Sequence, residues 1–300
     1  MRYRYKVSVI MPCYNSGAYI KQAIQSLVDQ SLEDWELIII DDGSTDDSIV
    51  KVKSFNDKRI KLIQLEKNQG NYYARNVGIK VSSGKYIAMF DSDDVCHVNR
   101  LEIQYDHLQK KPKTGAIGSG FYFMDSDGIT KAVQNRQCTA SEFKINIINN
   151  NGMLQSTIFI RSHLIRKYKL MYNTLYTYAS DYDFVFQCSK YFQIYNLADY
   201  CVFYRVHLNN ITNSKGALQR EYAFQIRWEI LNYYFGKEFT VRELEFLNTI
   251  FHSQKHKIDL SYVESLFNRM LSFNKKKRLL NQTKFYQFLY AKFVMLVADK

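Results

Sequence analysis

The chain has 300 residues, 46% of them apolar and 23% charged, enough for a sizeable core and unlike a disordered segment. A net charge of +12 at pH 7 points to anionic partners, but no RNA- or DNA-binding motif accompanies it, so nucleic acid is not expected. Five cysteines, an odd number with no CxxC pair, argue against a disulfide framework or zinc site and for a reducing, cytoplasmic setting.

The N-terminal MRYRYKVSVIMP has basic residues, but its apolar run stops at Pro12, too short for a secretory leader. Lys6–Met11 (KVSVIM) and Glu36–Ile40 (ELIII) are β-branched apolar runs that read as central strands of a covered parallel sheet. Between them Ile20, Ala23, Ile24, Leu27 and Val28 recur at helical spacing, with Asn15 or Ser16 expected as the cap. Ser44 or Thr45 is expected to cap a second helix, with Asp46 and Asp47 in its first turn near the positive end of the dipole. A strand at 60–64, a helix over 71–82 and a strand at 86–90 complete an alternating, doubly wound half-domain over residues 1–95.

That last strand runs straight into Asp91, Ser92, Asp93 and Asp94. Open sheets of this kind bind ligands beyond the carboxyl ends of their strands, so Pro12–Asn15, Asp41–Ser44 and Asp91–Asp94 are expected on one edge. The first turn reads PCYNSG in place of GxGxxG, and GxxxxGK[ST] is missing, so neither glycine-rich phosphate cradle is present. Clustered carboxylates suit a hard divalent ion, Mg2+ or Mn2+, that bridges a diphosphate. A second DSD, within Asp125–Gly128, lies between two strand-like runs and reads as a hairpin turn.

Residues 214–300 turn helical, with capping boxes expected at Thr240–Glu243 and Ser261–Glu264. FYQFLYAKFVMLVA at 285–298 is broken by Lys292 and falls short of the roughly 18 apolar residues of a membrane span. With the basic Lys275–Arg278 it fits two arrangements: peripheral contact with an anionic membrane, or a helix packed on the rest of the chain.

Four blocks in order, VSVIMPCYN at 7–15, WELIIIDDGSTDDS at 35–48, NQGNYYARNVGI at 68–79 and SGKYIAMFDSDD at 83–94, resemble the family 2 glycosyltransferases. These are inverting enzymes of the GT-A, nucleotide-diphospho-sugar fold. The likeness runs more loosely to about residue 212, through YASDYDFVFQCSKYFQIYNL and YRVHLNNIT. It implies an α/β catalytic domain over 1–213, its mixed, mainly parallel sheet flanked by helices. Residues 1–95 would hold the nucleotide-sugar half and 96–213 the acceptor half, followed by a helical appendage over 214–300. The implied activity is metal-dependent transfer of a single sugar from a nucleotide-diphosphate donor, preferably UDP-linked, to a glycan or lipid-linked glycan in bacterial polysaccharide or lipopolysaccharide synthesis. The setting would be cytoplasmic, at the inner face of the cell membrane. The QxxRW of processive membrane synthases is not matched, since Gln225-Ile-Arg-Trp228 has one residue between Gln and Arg.

The resemblance assigns Pro12, Tyr14, Asn15, Asp42, Arg75, Asn76, Asp91 and Ser92 to the nucleotide sugar, with Asp42 recognising the base. Asp93, with Asp91 and His207, would hold Mn2+ or Mg2+. Asp181 takes the place of the base that removes the acceptor proton, although the family's usual Glu-Asp pair reads Ser180-Asp181 here; Asp183 is the weaker candidate. For both aspartates helix capping is the competing role. Two other classes stay open. A nucleotidyltransferase of related fold would want a basic, Gly-rich loop in place of PCYNSG, and a non-catalytic nucleotide-sugar-binding scaffold would explain the altered acidic pair.

Overall fold

A computed structural model describes residues 3–207, 210, 215–252 and 258–298. Leu208, Asn209, Ile211 and Thr212 of the resembling segment lie outside these residues, as does the expected boundary after residue 213.

The alternation read from the sequence is present. Strands and helices follow as β1 (Tyr5–Cys13), α1 (Ile20–Val28), β2 (Trp35–Asp41), α2 (Ser48–Lys53), β3 (Ile60–Gln64), α3 (Asn71–Val81) and β4 (Gly84–Met89). Every residue of β2 is buried, as is β1 from Val7 onward, because helices cover both faces of a parallel sheet. β1 runs parallel to β2, with Cys13 opposite Asp41, and parallel to β4, with Ile10 opposite Met89. Their carboxyl ends therefore share one edge, and the three loops singled out from the sequence leave from it.

The starts of the first two helices differ from expectation. Neither Asn15 nor Ser16 caps α1 with its side chain; the Ser16 carbonyl accepts the Tyr19 and Ile20 N–H groups instead, both at 2.9 Å. α2 starts after Asp47, not after Ser44 or Thr45. The physical reason is that the would-be caps hold the two loops together: Asn15 Oδ1 accepts from Thr45 N at 2.8 Å, and Asn15 N donates to Ser44 Oγ at 3.0 Å.

The chain continues through β5 (Val95–Cys96), α4 (Arg100–Lys110), β6 (Thr114–Met124), β7 (Thr130–Gln134), α5 (Ala140–Asn146), β8 (Phe159–Arg161), α6 (Ser162–Tyr168), α7 (Ser180–Ser189) and β9 (Gln193–Arg205). The sheet order is β3-β2-β1-β4-β8-β6-β9-β5, with β7 paired to β6. β8 runs antiparallel to β4 and β6, whereas the long β6 and β9 pair in parallel, so the sheet is mixed. The β6–β7 hairpin turns where the second DSD predicts it: Gly128 takes φ 86°, and Asp125 Oδ1 accepts from Asp127 N and Ile129 N.

Four longer helices follow: α8 (Gly216–Phe235), α9 (Val241–His252), α10 (Leu260–Lys277) and α11 (Gln282–Ala298). The chain forms two compact units, residues 1–138 with 153–216, and residues 139–152 with 217–300. The first contains the sheet. The second takes in residues 139–152, which the sequence reading groups with the first 213. Its core includes Ile230, Phe235, Leu247, Met270 and Phe285, and Phe235 stacks on Phe285 with ring centres 5.8 Å apart. The capping box at Thr240 and Glu243 forms. The one at Ser261 does not, because Asp259, a better-placed cap, accepts from Ser261 N and Tyr262 N and starts α10 earlier. Among the described residues no helix is long and apolar enough to cross a membrane.

Candidate active site

The site is built on the carboxyl edge of β1, β2 and β4. Pro12 is buried in β1 opposite Ile40, Tyr14 beyond it is half exposed, and Asn15 sits at φ 48°, bonded to the β2 loop. Gly43 in that loop has φ 78°, and a Cβ there would stand 3.0 Å from Asn68 N, so only glycine fits. Asp42 uses both carboxylate oxygens on the next loop, accepting from Gln69 N and Gly70 N at 2.8 Å each. Burial raises its pKa above the usual aspartate value. Its neighbour Asp41 is also buried, and Asp41 Oδ1 has no hydrogen bond.

Arg75 projects from α3 toward the β4 loop and is 3% exposed. One guanidinium nitrogen pairs with Asp91; Nε and Nη1 have no hydrogen-bond partner. A buried guanidinium with two unsatisfied nitrogens is costly unless something else accepts from it. Asn76, one residue on, bonds in both directions to the Tyr172 backbone at 2.8 Å and so fastens that segment to α3.

Ser92 bonds to the Ser16 hydroxyl at 2.7 Å, tying the β4 loop to the β1 loop. Asp93 Oδ2 lies 3.0 Å from His207 Nε2. Asp94 is buried and accepts from Arg205 N at 2.9 Å; burial, then the charges of Asp93 and Asp91, push its pKa well above the ordinary value. Arg205, a ligand candidate in the sequence beside His207, ties the surrounding loops together. Its guanidinium donates to the Asp93 carbonyl and to the Asp125 and Ser126 carbonyls of the hairpin turn, and it stacks on Tyr19 at 4.5 Å.

Asp181 and Asp183 both lie in the first turn of α7. Asp183 is buried and accepts from Gln187 Nε2 at 2.8 Å, within its own helix. Asp181 accepts from the Tyr72 hydroxyl at 3.2 Å. Burial raises its pKa, against which the Tyr182 N–H, the Tyr72 hydroxyl and Arg75 pull downward. The arrangement thus places a carboxylate that can hold a proton beside a cation that can hold an anion.

Two residues near Asp181, Tyr72 and Arg136, are not legible as part of the site from sequence. Tyr72 could have been found from its position three before Arg75, on the same helix face. Arg136, after β7, lies over Phe121 at 5.3 Å and feels the charge of Asp181, but nothing local marks it. The fastening role of Arg205 is likewise invisible until strand pairing is known.

Among the described residues no three His, Cys, Asp or Glu side chains are grouped to hold a metal ion. Asp91, expected as a ligand, faces Arg75, which leaves Asp93 and His207 as the converging pair. This is not an all-protein cage. It does fit an ion that arrives with a diphosphate, because Mg2+ keeps one or two protein ligands and takes the rest from phosphate and water.

The sequence matches Glycosyl transferase family 2 over residues 8–207. An uncharacterized glycosyltransferase of Haemophilus influenzae is 34% identical over 248 residues, 77% of this chain and 75% of that protein. Escherichia coli WfgD, named as a UDP-Glc:alpha-D-GlcNAc-diphosphoundecaprenol beta-1,3-glucosyltransferase, is 43% identical over 106 residues, 35% of this chain and 42% of its own length. Among solved structures, S. aureus TarS 1–349 in complex with UDP-GlcNAc shares the fold, with TM-score 0.66 at 20% identity, covering 98% of this chain and 89% of that one. The chain is a glycosyltransferase and belongs to glycosyl transferase family 2.

Proposed function

We propose that this enzyme moves a single sugar from a nucleotide-diphosphate donor, preferably UDP-linked, to a glycan or lipid-linked glycan acceptor during synthesis of a bacterial surface polysaccharide. The observation that carries the reading is Arg75, a buried guanidinium paired to Asp91 on one nitrogen and unsatisfied on the other two, beside Asp181. The UDP-GlcNAc bound to TarS and the lipid-diphosphate acceptor in the name of WfgD support the choice of donor and acceptor classes.

In this reading the donor lies along the carboxyl edge. The loops of Pro12, Tyr14 and Asn15 and of Asp41 and Asp42 frame the nucleoside, and Arg75 donates to the diphosphate or sugar. Asp93 and His207, with Asp91 beside them, would hold Mn2+ or Mg2+. When bound, such an ion supplies positive charge to the departing diphosphate. Asp181 accepts the proton of the attacking acceptor hydroxyl, and the glycosidic bond forms with inversion as the bond to the diphosphate breaks. The reaction would take place on the inner face of the cell membrane. Exposed Tyr286, Tyr290, Val294 and Met295 on α11, and the exposed Lys275–Arg278 at the end of α10, support a peripheral lipid contact.

Two substitutions test the assignment. Asp93→Ala is expected to weaken Mn2+-dependent UDP binding at least about tenfold, about 1.4 kcal/mol by calorimetry. Asp181→Asn is expected to bind UDP as the wild type does, while UDP release from UDP-GlcNAc or UDP-glucose falls by roughly a hundredfold or more. Unchanged metal-dependent binding would remove Asp93 from the ion, and a wild-type rate would move the base elsewhere.

A further inference from the structure

Tyr72 sits one helical turn before Arg75 on α3, and the helix stacks its ring beneath the guanidinium, 5.4 Å away. On another side the ring packs against Tyr172, with centres 5.5 Å apart and planes 18° from parallel. Tyr172 in turn stacks on Phe184 of α7 at 4.2 Å. These aromatic contacts leave Tyr72 7% exposed and fix the direction of its phenol, which donates to Asp181 Oδ1 at 3.2 Å.

We propose that Tyr72 is the positioning residue for Asp181: its phenol aims the carboxylate and favours the ionised form that accepts the proton of the acceptor. The proposal rests on the assignment of Asp181 as the base. Burial and the charge of Asp181 push the ionisation of the phenol well above the ordinary tyrosine value, so the group stays a donor wherever Asp181 is charged. A hydrogen bond to a carboxylate stabilises its charged form, most strongly where water is excluded. The other groups that face Asp181 include Arg75 from α3, Asp91 after β4, Arg136 after β7, the Tyr172 phenol and the Tyr182 N–H of its own helix. Tyr72→Phe leaves all of these in place and keeps the ring stack, so it isolates the phenol.

The test joins a titration to a double-mutant cycle. In protein labelled with 13C-aspartate, the Asp181 carboxyl resonance is identified by its loss in Asp181→Asn, and its midpoint is expected to rise by roughly one pH unit in Tyr72→Phe. With UDP-GlcNAc and UDP-glucose as donors in the presence of Mn2+, Tyr72→Phe should lower kcat about tenfold with the donor KM unchanged. It should add no loss in the Asp181→Asn background, because its effect passes through that carboxylate. An unmoved midpoint, or an equal further loss in the Asp181→Asn background, would overturn the proposal while leaving the base assignment standing. A wild-type rate in Asp181→Asn alone would overturn the base assignment, and with it this proposal.

Discussion

Glu36 is a charged residue at the start of β2, just before its apolar run Leu37–Ile40, and is fully buried. Its carboxylate accepts from Ser8 Oγ at 2.6 Å, from Ser83 Oγ at 2.7 Å and Ser83 N at 2.8 Å, and pairs with Lys61 at 2.6 Å. It therefore ties β2 to β1, to β3 and to the entry of β4. Burial alone would raise its pKa, but Lys61, Ser8 and Ser83 outweigh it and hold the pKa below the ordinary glutamate value. A depressed carboxyl contributes stability above the unfolded value of 4.5 and loses it as pH falls through the folded one. Glu36→Gln should cost about 2–3 kcal/mol in urea denaturation at pH 7, discounted because Lys61 is partly exposed. The gap to wild type should narrow below pH 4.5; a gap that holds constant to pH 3 would deny the ionised network. None of this is readable from WELIII, since Ser8, Lys61 and Ser83 reach Glu36 only through sheet pairing. Asp91–Asp94 is legible because its signal is local, an apolar strand running into charge. The same chemistry without that placement, at Asp125–Gly128, makes a turn whose carbonyls Arg205 ties to the first loop.

Helix positions follow from apolar spacing, so α1 and α3 fall where periodicity puts them, while helix starts depend on which group reaches the free N–H first. At α1 that group is a backbone carbonyl, with Asn15 bonded across to the β2 loop instead. The most consequential join between elements is Asn76, which pins both polar groups of the Tyr172 backbone to α3. Tyr172 carries the join onward, stacking on Tyr72 of α3 and on Phe184 of α7. Asn76→Ala leaves a backbone N–H and C=O without their partners, expected to cost about 2 kcal/mol and to lower Tm by roughly 5 °C. Because the loosened segment leads into the helix of Asp181, kcat should fall while UDP affinity holds. A fall in UDP affinity with kcat retained would instead place the Asn76 amide on the donor.

At the scale of the whole chain, the sheet half is the more legible part, because strands with local apolar runs announce themselves in order. The second unit is less so. Residues 139–152 carry no motif in the sequence and fall within the expected acceptor half, yet they pack with the helices that begin after residue 216. Their anchors lie far along the chain: Glu142 of the α5 capping box pairs with Lys284 of α11 at 2.7 Å, and Arg227 of α8 donates to the Asn149 carbonyl at 2.9 Å. The Lys284 and Thr139 bonds bring the Glu142 pKa down to about 2. Phe143, Ile145, Ile147 and Ile148 are all buried in this segment. A chain ending at residue 213, the boundary that the family resemblance implies, would strip the partners from these side chains and expose about 2 kcal/mol of burial for each. Such a fragment is expected to bind the dye ANS and to aggregate on concentration, whereas the full chain does neither. A monomeric fragment that binds no dye and melts like the full chain would show that residues 139–152 do not need α8–α11.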